Sequence, residues 1–203
     1  EVLSLTLDSI INNICAGGTQ GGIYITPAGG TPPYSFSWSN STTAEDLTQV
    51  AAGEYTVGLT DSKGCPVTSM TDTVTEPAPI VAVVDSSMNV NCFGGADGAI
   101  YVTISGQSGM LDYSWSNADT TEDVSGLTEG TYGLTATDDN GCTVSLSQMI
   151  TEPSSALSAT SVSTAQIQGG ALGSVNVTTS GGTSPYSYLW SNGATTEALS
   201  NVN

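Results

Sequence analysis

The sequence predicts an all-β protein of small two-sheet sandwiches strung in tandem. Three observations predict it: a motif set that returns at near-constant spacing, apolar residues that alternate with polar ones in short runs, and Gly-, Pro- and Asn-rich breaks between those runs. The repetition comes first. Cys15, Trp38 and Cys65 return as Cys92, Trp115 and Cys142, each 77 positions on, and Trp115 returns as Trp190 after 75. "TEPAP" at 75–79 and "TEPSS" at 151–155 mark the joints, where a proline ends the last strand and few residues precede the next. The chain therefore divides into 1–77, 78–153 and an incomplete third repeat, 154–203, as a fairly stiff linear array.

Within a repeat the elements follow in order. Leu3, Leu5 and Leu7 alternate with Ser4 and Thr6; Ile23 and Ile25 flank Tyr24; Tyr34, Phe36 and Trp38 share one face of "YSFSWSN"; Tyr55, Val57 and Leu59 form the next run. The second repeat returns Ile100 and Val102, then Tyr132, Leu134 and Ala136. Six or seven short strands in some 75 residues, without a helical period, predict an immunoglobulin-like sandwich. The aromatic strand, present three times, then fills the gap of about 10 Å between two sheets. Trp38, Trp115 and Trp190 are expected in the core rather than on an exposed sugar-stacking platform. Tyr55 and Tyr132, each two residues after a Gly at the head of a strand, fit a tyrosine corner with a structural role.

Composition removes several functions. The 203 residues include one Lys, no Arg and no His against 19 acidic residues, a formal net charge of -18. Phosphate neutralisation fails, so neither nucleic acid nor an anionic membrane surface is an expected partner. Without His, Ser-His and Cys-His triads are excluded, and no enzyme activity is expected. No apolar run is long enough for a membrane-spanning helix, and "EVLSLTLDSI" lacks a basic leader.

The four cysteines, Cys15, Cys65, Cys92 and Cys142, fall as two pairs with a 50-residue separation. Without His or a Cys-x-x-Cys spacing, zinc has little support, and one disulfide within each repeat is the expectation: Cys15 with Cys65 and Cys92 with Cys142. Closing such a loop is worth about 4 kcal/mol in the chain-entropy treatment. An extracellular compartment follows. Ile167 stands where the third repeat would carry the first cysteine. The acidic pairs Glu45/Asp46 and Glu122/Asp123 invite comparison with glycosidase carboxylates, but neighbours on a strand face opposite ways, and the third repeat has Glu197/Ala198. No cofactor is expected. Weak Ca²⁺ binding at "DDNG" (138–141) competes with a solvated β-turn, which the Lys63 of the matching "DSKG" favours.

As an ordered set, Cys-x-Gly-Gly-x-x-Gly (15–21, 92–98), Gly-Gly-Thr-x-Pro-Tyr followed by an aromatic strand ending Trp-Ser-Asn, Gly-x-Tyr, Asp-x-x-Gly-Cys and Thr-Glu-Pro resembles the SprB-type repeat of Bacteroidota over essentially the whole chain. Leu111 in the second repeat and Ile167 in the third depart from the pattern. The resemblance implies tandem modules of large cell-surface adhesins, some linked to gliding motility, exported by the type IX secretion system. It implies a structural and adhesive role in a surface fibre, with neighbouring modules or copies of the chain as partners. The alternative is a glycan-binding accessory module of a type IX-secreted protein, with surface glycans as partners. "DSI", "DTV" and "DTT" are similar to the O-glycan signal of these bacteria, which makes Ser9, Thr73 and Thr120 candidate attachment sites. Tyr24 and Tyr101, outward if their neighbours point in, are candidate contacts for lateral association, with Asn176 in their place in the third repeat.

Residue 203 precedes the residues that would match "AAGEYTVGLTDSKGC", so a break within a longer array is expected there, and residue 1 starts where other repeats follow Thr-Glu-Pro. Val175, Val177 and Trp190 would then lack cover, unless a donor strand supplies it.

Overall fold

The computed structural model describes residues 1–66, 69–164 and 172–202. Ile167, the expected apolar substitute for a cysteine, lies outside them. Fifteen strands and no helix occur among the described residues. Two compact units divide the chain: Glu1–Ala82 with Ile104–Asp112 and Ala136–Val144, and Val83–Thr103 with Tyr113–Thr135 and Ser145–Asn203.

The first unit holds β1 (Ser4–Ile11), β2 (Gly21–Ala28), β3 (Ser35–Trp38), β4 (Leu47–Val50), β5 (Gly53–Thr60) and β6 (Met70–Val74). They form two three-stranded sheets, ordered β1-β2-β4 and β3-β5-β6. Pairing is antiparallel throughout. Ile23, Ile25, Leu47 and Val50 from one sheet meet Trp38, Val57 and Val74 from the other in a single buried cluster. Alternating residues on facing sheets make this core, the arrangement of an immunoglobulin-like sandwich.

The alternation of Leu3, Leu5 and Leu7 does not run through. A bulge between Leu7 and Ser9 leaves Asp8 unpaired opposite β2. One extra residue moves the following side chains to the other face. Leu5 and Ile10, of opposite parity, therefore both pack on the core, while Leu7 is exposed.

In the remaining strands the order recurs. Strands β7 (Val81–Met88), β8 (Gly98–Ser105) and β10 (Val124–Leu127) form one sheet, and β9 (Leu111–Trp115), β11 (Gly130–Asp138) and β12 (Thr143–Ile150) another. Ile100, Val102, Trp115, Leu134, Ala136 and Ile150 are buried. In the second unit, β13 (Ser158–Thr164), β14 (Gly173–Ser180) and β15 (Ala198–Val202) add one three-stranded sheet. Val175, Val177 and Trp190 are half-buried there, in contrast to Ile23, Ile25 and Trp38.

The disulfide corrects the expected pairing. Cys15 is bonded to Cys142, with Cα atoms 5.5 Å apart, and Cys65 and Cys92 are free and exposed. The reason lies in β1. Near its start, Gly30 N donates to Glu1 O and Thr31 N to Asp61 Oδ2, which puts the Cys65 turn at that end. Past its finish, Asn13 N donates to Thr75 O, and Cys15 follows at the other end. Eight residues of strand span about 26 Å, whereas a disulfide needs Cα atoms within about 7 Å.

Candidate functional site

Two turns built by different means carry the bonded cysteines. At Cys15 the chain leaves β1 through Asn12 and Asn13. Asn12 Oδ1 accepts Thr75 N, and buried Asn13 accepts Gly21 N and donates to Val50 O at 2.8 and 3.2 Å. Gly18 N donates to Cys15 O, and Gly17, at φ 71°, donates its N–H to Glu76 Oε2 at 2.7 Å. A left-handed glycine directs that amide towards the glutamate. The Glu of Thr-Glu-Pro thus holds the Cys-x-Gly-Gly turn against the end of β6.

The Cys142 turn is held by Asp138. Its Oδ1 accepts Asn140 N and Cys142 N, and its Oδ2 accepts Ser108 N, all within 2.9–3.0 Å. Gly141, at φ 79°, closes the turn onto Asp138 O. Asp138 is buried, so this is not the solvated turn that "DDNG" suggests. The amide of Ser108, then those of Cys142 and Asn140, hold its carboxyl below the usual carboxylate range, although burial pushes the other way. Asp139 Oδ2 accepts Met110 N. Both carboxylates offered as calcium ligands are therefore turned onto backbone amides. No group of three or more metal-binding side chains occurs among the described residues.

Around the bond lies a cleft of about 270 Å³, lined in part by Ile14, Cys15, Pro79, Gly106 and Ser108. Gly106, at φ 83°, leaves no room for a side chain, since a Cβ there would stand 2.5 Å from Pro79 O. The joint is closely fitted on that side.

The other expected residues take structural or surface positions. Trp38 and Trp115 are each 3% exposed, and their Nε1 atoms donate to Ala44 O and Thr121 O. Trp190 Nε1 donates to Thr196 O from a half-buried ring. Tyr55 and Tyr132 donate their hydroxyls to Ala51 O and Thr128 O, four residues back. Asp46 and Asp123 accept Ile25 N and Val102 N, so one carboxylate of each acidic pair serves the backbone of β2 or β8. Ser9, Thr73 and Thr120 are exposed; so is Tyr101, whereas Tyr24 is half-buried. Sequence reading missed Asn13 and the parts that Glu76 and Asp138 play in holding the cysteine turns. The joint return of Cys-x-Gly-Gly and Thr-Glu-Pro in both complete repeats is the signal that links the first turn to Glu76.

The SprB repeat model matches three segments, residues 8–43, 84–120 and 168–195. Among solved structures, a three-domain titin fragment, I67–I69, is 11% identical at TM-score 0.35 and covers 100% of this chain and 90% of its own. Fibronectin(III)-like modules of Clostridium thermocellum CbhA are 17% identical at TM-score 0.29, covering 72% and 93%. Domains 4–9 of the surface layer protein SbsC are 16% identical at TM-score 0.29, covering 98% and 38%. No curated protein sequence matches. The three matched segments, each containing a Trp-Ser-Asn corner, place the chain in the SprB repeat family.

Proposed function

We propose that the chain is an extracellular, load-bearing and adhesive repeat array of a bacterial surface, of the kind used by the large adhesins of gliding cells. In this reading the modules are bounded at residues 77 and 153, and neighbouring modules or further copies of the chain are its partners. One observation carries it: the Cys15–Cys142 bond, which links a cysteine of the first repeat to one of the second instead of closing a repeat on itself. A covalent link at a joint resists separation of the repeats it joins. An oxidising compartment is where such a bond persists. The excess of acidic residues keeps an extended array soluble and discourages collapse.

The reading is non-catalytic, with Asp46 and Asp123 of the acidic pairs engaged by backbone amides. Glycan capture by the Trp38 and Trp115 rings has no support, because a stacking platform needs an exposed face. The exposed Ser9, Thr73 and Thr120 remain proposed O-glycan positions.

Pulling the chain by its ends tests the mechanical part. The bond encloses a sequence separation of 127 residues, so reduction should add about 430 Å of extensible length, at roughly 3.4 Å per residue. Equal contour lengths with and without reductant would sink it. Antibody labelling of intact producing cells tests the location, and a signal found only after lysis would refute it.

A further inference from the structure

The two free cysteines occupy the same turns as the two bonded ones. Gly94 has φ 71°, as Gly17 has, and donates its N–H to Glu152 Oε2 at 2.6 Å; Gly95 N donates to Cys92 O as Gly18 N does to Cys15 O. Asn89 Oδ1 accepts Thr151 N in the place of Asn12. At the other turn, Gly64 has φ 79°, as Gly141 has, and Asp61 Oδ1 accepts Lys63 N and Cys65 N while Oδ2 accepts Thr31 N. Both free sulfurs belong to exposed residues. Cys92 therefore matches the Cys15 half of the bonded joint, and Cys65 the Cys142 half.

An independent observation comes from the second unit. Thr183, which stands 75 positions after Ser108, donates its hydroxyl to Asn91 O beside Cys92. Met88, Asn91, Glu152 and Gly182 line the cleft there, as Ile14, Pro77 and Ser108 line the one at Cys15. The start of a third repeat already seats against the Cys92 end.

The geometry points to Cys65 and Cys92 as half-staples for further joints: Cys92 bonds the Asp-x-x-Gly-Cys cysteine of a complete repeat that follows it, and Cys65 bonds the Cys-x-Gly-Gly cysteine of one that precedes it. Each repeat in an array is then bonded to both neighbours and to none of its own cysteines. The two thiols lose two protons and two electrons to a small-molecule disulfide, which leaves as two thiols, and one S–S bond forms. The staple is independent of what the array adheres to.

The test places residues 1–153 directly ahead of the full sequence. Pro153 is then followed by Glu1 as Pro77 is by Ala78. Cys65→Ser in the leading copy and Cys92→Ser in the following one leave only the leading Cys92 and the following Cys65 unassigned. After oxidation with glutathione disulfide, the expected result is no alkylatable thiol and a Cys92–Cys65 peptide on non-reducing Asp-N and Glu-C mapping. The reciprocal chain, Cys92→Ser leading and Cys65→Ser following, should give no peptide joining its two remaining cysteines, each recovered as a thiol or as a mixed disulfide with glutathione. Absence of the Cys92–Cys65 peptide from the first chain, or a Cys65–Cys92 peptide in the reciprocal one, would overturn the proposal. So would absence of the Cys15–Cys142 peptide, which reports folding in both.

Discussion

Cys15 and Cys142 are joined although 127 positions separate them, and Cys142 N is simultaneously held 2.9 Å from Asp138 Oδ1. The covalent link and the carboxylate clamp therefore act on one residue. Losing either one loosens the same turn.

Removing the bond is expected to destabilise the chain substantially. In the chain-entropy treatment a loop of this length is worth about 5 kcal/mol, with measured losses for native disulfides of about 2–5 kcal/mol. Cys15→Ser should lower the denaturant midpoint accordingly, while Cys65→Ser, at an exposed free thiol, should leave it unchanged. Parallel urea titrations of both variants check this. Equal midpoints would show that the bond carries no stability.

Acid should weaken the clamps. In the folded protein Asp61 and Asp138 are held below the ordinary carboxylate range, through the amide of Cys65 foremost in one and of Ser108 in the other. A depressed carboxylate contributes stability that is fully present above its unfolded pKa and is lost as pH falls through the lower folded value. Stability should therefore hold at neutral pH and drop below about pH 4. Asp138→Asn should reduce stability at pH 7 and flatten that acid limb. Thermal unfolding at a series of pH values measures both, and an unchanged acid limb would be the contrary result.

Asn13 is a buried polar side chain with every contact supplied by the backbone. Asn13→Ala would leave Gly21 N and Val50 O without their side-chain partner, a loss of about 2 kcal/mol or more. Equilibrium unfolding gives the value directly. The adjacent Asn12→Ala, which faces solvent and loses one bond to Thr75 N, should cost less.

The three indoles should separate by environment. Trp38→Ala removes a 3% exposed ring and should cost about 3–5 kcal/mol, against a smaller loss for Trp190→Ala at a half-buried site. Acrylamide should quench Trp190 more strongly than Trp38 or Trp115 in single-Trp variants. Equal quenching of all three would contradict the burial described.

The fold class was legible because period-two alternation and turn residues are local signals. Ile23, Ile25 and Val57 alternate with polar or small neighbours and are all buried. Trp38 and the tyrosine corners were legible for the same reason: a large ring in an inward frame has few other places to go. At Leu7 and Ser9 the local rule failed, because a bulge is a mismatch between two strands and neither strand alone records it.

By itself the sequence determined the all-β class, the repeat period, the motif family and the exclusion of His-dependent chemistry, since each depends only on which residues occur and how often they return. Only the tertiary structure decided which cysteine bonds which. Equal spacing within each repeat suggests an internal pair, but β1 carries Cys15 to the opposite end from Cys65, and the next repeat brings Cys142 to the place that Cys65 cannot reach. A disulfide depends on distance in space to within about an ångström or two, whereas spacing along the chain sets only an upper bound on that distance.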